Sequence, residues 1–434
     1  MMMKVFKYIF LFLIFFNLTL IAKFKPIYTL YNFNFGAKSL SLSNSFTSIA
    51  DDLTCLYWNP AGIGDKNTPE FYINYSQLSI NYYYNNQTKE YPNLNYTSSY
   101  DYDFNLSLKN LNFLAFSFPL KYKNFLFNLG LSYYRLIPYS YSGDSYSVYY
   151  NDDDKDDFSK YGYEFSGKNG IDVIGFSFGF ELTEGLNLGV TVEQFFNSGE
   201  VTYNYTSDNT EYSKTYVENF KDKNVIIGGL FKLSDYFSIG IAYRTKVTDI
   251  FYSEYTYKTE DTTTNDSCNA TLSLPPSLSM GLTIRIFKNL SLSGEYSIIY
   301  WSKSKISDYY DSSSELYFPI RDDFSFTQKN TANHSIGVEY KVDMLNSKLF
   351  LRAGLFSYHQ FFTDINANRV KIKGYSFGIG YNNKLGIKVD LGFMRQHANW
   401  YETGYFDSSV LSHFYNYIVS LSASYSFNFL KYGY

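Results

Sequence analysis

Cysteine is nearly absent: Cys55 and Cys268 are the only two in 434 residues. That is too few for a disulfide scaffold, and two cysteines alone cannot build a structural zinc site. Histidine is as sparse. His334, His359, His397 and His413 are scattered, with no pair at a metal-ligand spacing and no nucleophile elbow, so no catalytic constellation, metal site or cofactor is expected. An excess of positive charge is missing too, since the formal net charge of −4 excludes the basic balance of a nucleic-acid-binding chain. Beyond residue 22 there is no run of 18 apolar residues, so the mature chain has no helix fit to span a bilayer. Any membrane crossing must be made by strands.

What the chain has in abundance is aromatic side chains. Tyr, Phe and Trp make up 21% of it, which argues against wholesale disorder. The N-terminus carries an address. Lys4 and Lys7 precede a run from Tyr8 to Ala22 that is apolar apart from Asn17 and Thr19, the order of a secretory signal peptide over 1–22. No cysteine follows the run, which disfavours a lipoprotein anchor.

The rest alternates with period two. Phe237, Ile239, Ile241 and Tyr243 share one parity, while Ser238, Gly240, Ala242 and Arg244 share the other. The same division recurs at Leu278, Met280, Leu282, Ile284 and Ile286, and at Tyr417, Val419, Leu421, Ala423 and Tyr425. Such alternation is a strand signal, but a soluble sandwich would produce it as well. The connections decide between them. Fourteen candidate strands lie near 71–84, 110–120, 124–137, 171–182, 185–198, 223–234, 236–249, 277–288, 289–302, 332–343, 348–359, 374–384, 385–397 and 415–429. Very short turns at Tyr122-Lys123, Thr183-Glu184, Ser234-Asp235, Lys288-Asn289, Asn346-Ser347 and Asn383-Lys384 alternate with long polar connections, several of which keep alternating as if the strands project outwards. Short turns inside and long loops outside characterise an outer-membrane barrel. The predicted fold is an all-β transmembrane antiparallel barrel of about fourteen strands in the bacterial outer membrane. Tyr133, Tyr134, Tyr243, Tyr300, Trp301 and Tyr381 near strand ends fit aromatic girdles.

The acidic run Asp152, Asp153, Asp154, Asp156 and Asp157 lacks the glycine and terminal glutamate of an EF-hand and reads as a solvated surface. Glu193, Arg244, Lys246, Arg285, Glu295, Glu339, Arg352, Lys388 and Asp390 fall on the lumen parity. They fit a hydrogen-bonded network that stiffens the interior. Alternatively, Arg244, Arg285 or Arg352 meets a carboxylate head group in transit, because arginine matches carboxylate geometry.

Residues 36–64 are unlike the rest. Gly36-Ala37-Lys38-Ser39-Leu40 is followed by Ala50-Asp51-Asp52 and then by Leu56-Tyr57-Trp58-Asn59-Pro60-Ala61-Gly62. Small residues suggest brief helices, with Asp51 or Asp52 available as a cap. In this order and position the segment resembles the N-terminal plug signature of the FadL/OmpP1 family of outer-membrane transporters and their PorV-like relatives. Leu274-Pro275-Pro276-Ser277-Leu278 with its following hairpin is similar to hairpins of that family. After the signal peptide at 1–22, the resemblance implies a plug of short helices inside the lumen at 23–70 and a barrel over 71–434. It implies a non-enzymatic transporter of long-chain fatty acids or other hydrophobic small molecules, with outer-membrane lipids around it. The plug motif would be Asn59, Pro60, Ala61 and Gly62 with Asp51 and Asp52. The alternative is the PorV-like role, a barrel whose long outer loops contact a protein partner in secretion or surface attachment.

Overall fold

The computed structural model describes residues 35–427, apart from 92–95, 124, 139–140, 152–153, 208–209, 220, 259–262, 305, 308–328, 365 and 404–408. The predicted signal peptide, residues 23–34 of the predicted plug segment and the C-terminal residues 428–434 lie outside the described residues.

Twenty strands form a single antiparallel sheet that closes on itself. β1 (Glu70–Tyr91) pairs with β2 (Tyr96–Tyr122) on one side and with β20 (Ser409–Ser426) on the other, from Glu70 opposite Ser426 to Tyr84 opposite Ser412. Several staves come in two pieces. β3 (Phe125–Pro138) continues as β4 (Tyr141–Asn151), and β6 (Leu186–Phe196) continues as β7 (Ser198–Ser207). β8 (Thr210–Asn219) runs into β9 (Lys223–Ser234), β10 (Phe237–Arg244) into β11 (Val247–Lys258), and β12 (Thr263–Leu274) into β13 (Ser277–Phe287). β14 (Leu290–Ile299) leads to the short β15 (Ile306–Ser307). With β5 (Asp154–Thr183), β16 (Thr331–Met344), β17 (Ser347–Thr363), β18 (Arg369–Asn383) and β19 (Ile387–Thr403), the pieces make a closed fourteen-stave barrel. Each predicted strand core falls on one stave.

One of the breaks has a plain cause. Arg244 pairs with Ser277 and Val247 pairs with Leu274. Between them Thr245 and Lys246 face Pro275 and Pro276, which have no N–H to give to a ladder. The short turns lie one residue further along than expected at several hairpins. At two of them the reason is a glycine that takes the left-handed position, Gly185 at φ 81° and Gly386 at φ 85°.

The barrel is inside out relative to a soluble protein. Its large apolar side chains face outwards: Phe176 is 63% exposed and Leu355 66%, with Phe116, Leu131, Ile227, Ile241, Leu282, Ile336 and Phe377 in the same band. Tyr122, Tyr236 and Phe287 are exposed beside the short turns, and Tyr243 and Tyr381 also face out. Tyr134 and Trp301 do not join a girdle; they turn inwards and are buried. Neighbours along a strand point to opposite faces, so Tyr133 and Tyr134 cannot both meet lipid.

The buried core is the segment threaded through the lumen. α1 (Ala37–Ser41), α2 (Cys55–Trp58) and a 3-10 turn over Pro60–Ile63 follow one another there. Leu40, Phe46, Leu53, Cys55, Leu56, Ala61 and Ile63 are fully buried. No helix among the described residues is long and apolar enough to cross a membrane.

Candidate functional site: the seated plug and the cavity above it

Asn59 opens the Asn-Pro-Ala-Gly motif on extended backbone. Its Oδ1 accepts the Ala61 N–H at 3.2 Å and caps the 3-10 turn, while its Nδ2 donates to the carbonyls of Thr47 at 2.8 Å and Gly229 at 3.0 Å. One side chain thereby ties the motif to another plug turn and to β9. Pro60 occupies the first position of the turn, where a missing N–H costs little and the fixed φ is already right. Gly62 is required by close approach, since a Cβ there would lie 2.8 Å from the Cβ atoms of both Ala50 and Cys55.

The two predicted acidic residues divide their work. Thr54, not an aspartate, is the residue preceding α2. Asp52 stands two residues earlier and accepts the Thr54 N–H at 2.8 Å, fixing the turn that enters the helix. Asp51 instead pairs with Lys38 at 2.7 Å. Burial, and then the charge of Asp51, push the Asp52 carboxyl up to about 6, against the pull of its Thr54 bonds.

The wall meets the plug through glycine. Gly130, Gly179, Gly189, Gly228, Gly240, Gly281, Gly337, Gly354, Gly378 and Gly392 stand on ten different strands, and a Cβ at any of them would come within 3.0 Å of a plug atom. At Gly392 that atom is the Ala37 carbonyl oxygen at 2.5 Å; at Gly179 it is a side-chain carbon of Ile63 at 2.7 Å. A bare backbone lets plug and wall pack at main-chain distance. The sequence carried this signal as glycine recurring on the lumen parity, where polar residues were the expectation.

Charges fix the plug at its margins. Lys38 is buried between Asp51 and Glu339, the latter at 3.5 Å. Burial alone would lower its pKa, but the two carboxylates outweigh that and raise it. Arg352 pairs with Glu339 at 2.7 Å and with Asp390, so this guanidinium is spent within the network and does not border the cavity. Lys66 and Lys388 hold Glu70 at the first residue of β1. Arg285 is exposed at the turn end of β13. Of the three predicted arginines, Arg244 alone lines the cavity. Its Nη1 donates to Glu193 at 2.6 Å, its Nη2 to the Tyr57 carbonyl at 3.1 Å, and its guanidinium sits 4.3 Å above the Tyr57 ring. Glu193 also accepts from the Tyr134 hydroxyl and from Asn224.

The cavity, of about 180 Å3, lies on the loop side of the plug. Its height follows from the strands: on β10 it begins at Ala242, two residues beyond plug-contacting Gly240, and on β17 at Phe356, two beyond Gly354. Tyr57, Trp58, Ser43 and Asn44 of the plug border it, and Phe195, Ile226, Val247, Leu274, Ile299 and Phe356 line its wall. It is as large as an apolar cavity of about 150 Å3 that accommodates a benzene ring, but its lining is mixed, with Asn224, Asn333, His334 and Gln396 beside the apolar side chains.

The family model described as "Outer membrane protein transport protein (OMPP1/FadL/TodX)" matches residues 38–427. Among solved structures, a Pseudomonas aeruginosa FadL homologue is similar at 14% identity and a TM-score of 0.60, over 91% of this chain and 98% of that one. The Ralstonia pickettii toluene transporter TbuX is similar at 14% identity and a TM-score of 0.53, over 90% and 98%. The Pseudomonas putida toluene transporter TodX gives 12% identity and 0.50, over 94% and 100%. No curated protein sequence matches. At these identities the solved structures establish the fold, while the family match covers most of the chain and is one of channels rather than enzymes. The chain belongs to the OMPP1/FadL/TodX family of outer-membrane transport proteins, and its plugged barrel is a channel for hydrophobic substrates.

Proposed function

We propose that this channel takes up long-chain fatty acids, holding them first in the loop-side cavity and releasing them when the plug shifts. The cavity carries the reading. Apolar side chains such as Phe195, Ile226, Leu274 and Phe356 share its wall with polar ones, the plug floors it, and Arg244 supplies a guanidinium beside the floor. Glu193 already engages that guanidinium, so burial of the alkyl chain contributes most of the affinity, at about 25 cal/mol per Å2 of apolar surface. A chain longer than the cavity enters fully only once the plug has moved. The lipids of the outer membrane cover the exposed apolar band of the wall. The test is uptake of radiolabelled oleate, with toluene as the comparison substrate, in a host lacking its own fatty-acid transporter. Uptake of oleate above the empty-vector level is expected. Uptake of toluene alone would replace the substrate class, and uptake of neither, with the barrel assembled in the outer membrane, would remove the reading.

A further inference from the structure

We propose that Glu295 is the latch that holds the plug shut. It projects from β14 into the lumen, is half-buried, and borders the cavity. Its Oε2 accepts two plug N–H groups, those of Phe46 and Thr47, each at 2.9 Å. Glu70, Glu193, Glu339 and Asp390 each stand against a lysine or arginine. Glu295 has no cation within pairing distance among the described residues, and its Oε2 is met by the two amides of the plug. The two N–H groups converge on one carboxyl oxygen, a directional arrangement. That oxygen is therefore satisfied only while the plug turn is in place, and the turn is held only while the carboxyl is aligned.

The turn that Glu295 grips is a hub. The Thr47 carbonyl accepts from Asn59, the Ser48 carbonyl accepts from Ser238 at 2.9 Å, and the Ser48 hydroxyl bonds that of Thr283 at 2.7 Å. Gly281, opposite Glu295 in the sheet register, leaves room for Ser48 against the wall. Freeing Phe46 and Thr47 from Glu295 thus loosens the carbonyl that anchors the Asn-Pro-Ala-Gly motif. Because Glu295 also borders the cavity, whatever fills that end of the cavity lies against the latch.

The inference rests on the channel reading only in that the plug must move, and its test uses no substrate. Ser45, next to Phe46, is fully buried, and its hydroxyl has no hydrogen-bond partner among the described residues. Full-length protein carrying Ser45→Cys, with Cys55→Ala and Cys268→Ala, is reconstituted into liposomes and labelled with a small thiol reagent. Adding Glu295→Ala is expected to raise the labelling rate roughly tenfold, and Glu295→Gln, which keeps an acceptor but no charge, by a smaller factor. In planar bilayers the Ala variant opens to ions where the parent stays sealed. Barrel melting temperature and heat-modifiable migration stay at parental values, which a residue that merely stabilises the wall would not allow. If Glu295→Ala does not assemble, Glu295→Gln carries the same comparison. Parental labelling and a sealed bilayer overturn the latch. Loss of oleate uptake in the unmodified protein, with the latch behaviour intact, would overturn the transport reading alone.

Discussion

At Gly228 the wall approaches the plug so closely that a Cβ would collide with Asn59 Oδ1 and stand 2.9 Å from the Pro60 ring. Overpacking of this kind costs about 1–3 kcal/mol. Gly228→Ala should therefore lower the barrel's melting temperature in detergent, whereas alanine at Gly294, which has nothing within 4 Å of its absent Cβ, should leave it unchanged. Asp52 gives a prediction of opposite character. Its carboxyl is held at about 6 in the fold, above the ordinary value of about 4. Below pH 4 it is protonated in both folded and unfolded chain, and burial carries no charge cost. As pH rises from 4 to 6, the unfolded chain releases the proton while the fold retains it, so stability falls through that window and stays lower above it. Asp52→Asn should flatten this slope, measured as urea midpoints at pH 4.5 and 7.5. Residue-scale legibility had a clear limit. Arg244 and Arg285 share the lumen parity, but Arg285 is near the turn end of its strand and Arg244 is at the far end of β10. Parity fixes the face; height along the stave decides whether a side chain meets cavity or solvent.

The plug behaves as one element because Asn59 joins its last turn to the loop at Thr47 and to the wall at Gly229. Asn59→Ala removes the cap and leaves two carbonyls without that donor, a cost of about 2–3 kcal/mol. The barrel should still form, and ion leakage through reconstituted protein should rise. This element was legible in outline, since a run of small residues ending in Asn-Pro-Ala-Gly cannot continue as a strand. Its seats were not. The glycines that receive it are scattered over ten strands, and only the closed barrel shows that they share one level. The staves were the most legible elements, because lipid on one side and plug or water on the other impose period two. The turns slipped by a residue where left-handed glycines, not the polar residues before them, set the register.

Taken whole, the molecule has two zones along its axis. On the turn side of the strand breaks the wall is backed by the plug; beyond them β7, β8, β11 and β12 continue as ribbons past the level of the plug-contacting glycines. Amide exchange should follow that division. The staves at Gly189, Gly228, Gly240 and Gly392 and the plug are expected to exchange slowest, with the outer ribbons orders of magnitude faster. Uniform protection along the staves would contradict it. The ribbons were visible in the sequence as connections that keep alternating, although their breaks, such as the one at Pro275-Pro276, depend on what the neighbouring stave offers.

The seam between β1 and β20 has a consequence for how the protein is built. β1 begins at Glu70, directly after the plug, and is gripped there by Lys66 and Lys388 while it zips to the last strand of the chain. A body keyed into ten strands by bare backbone is gripped around most of the circumference of the wall, so it braces the barrel as well as stopping it. The short leash of residues 64–69 between the plug and β1 limits how far it can swing in the finished barrel.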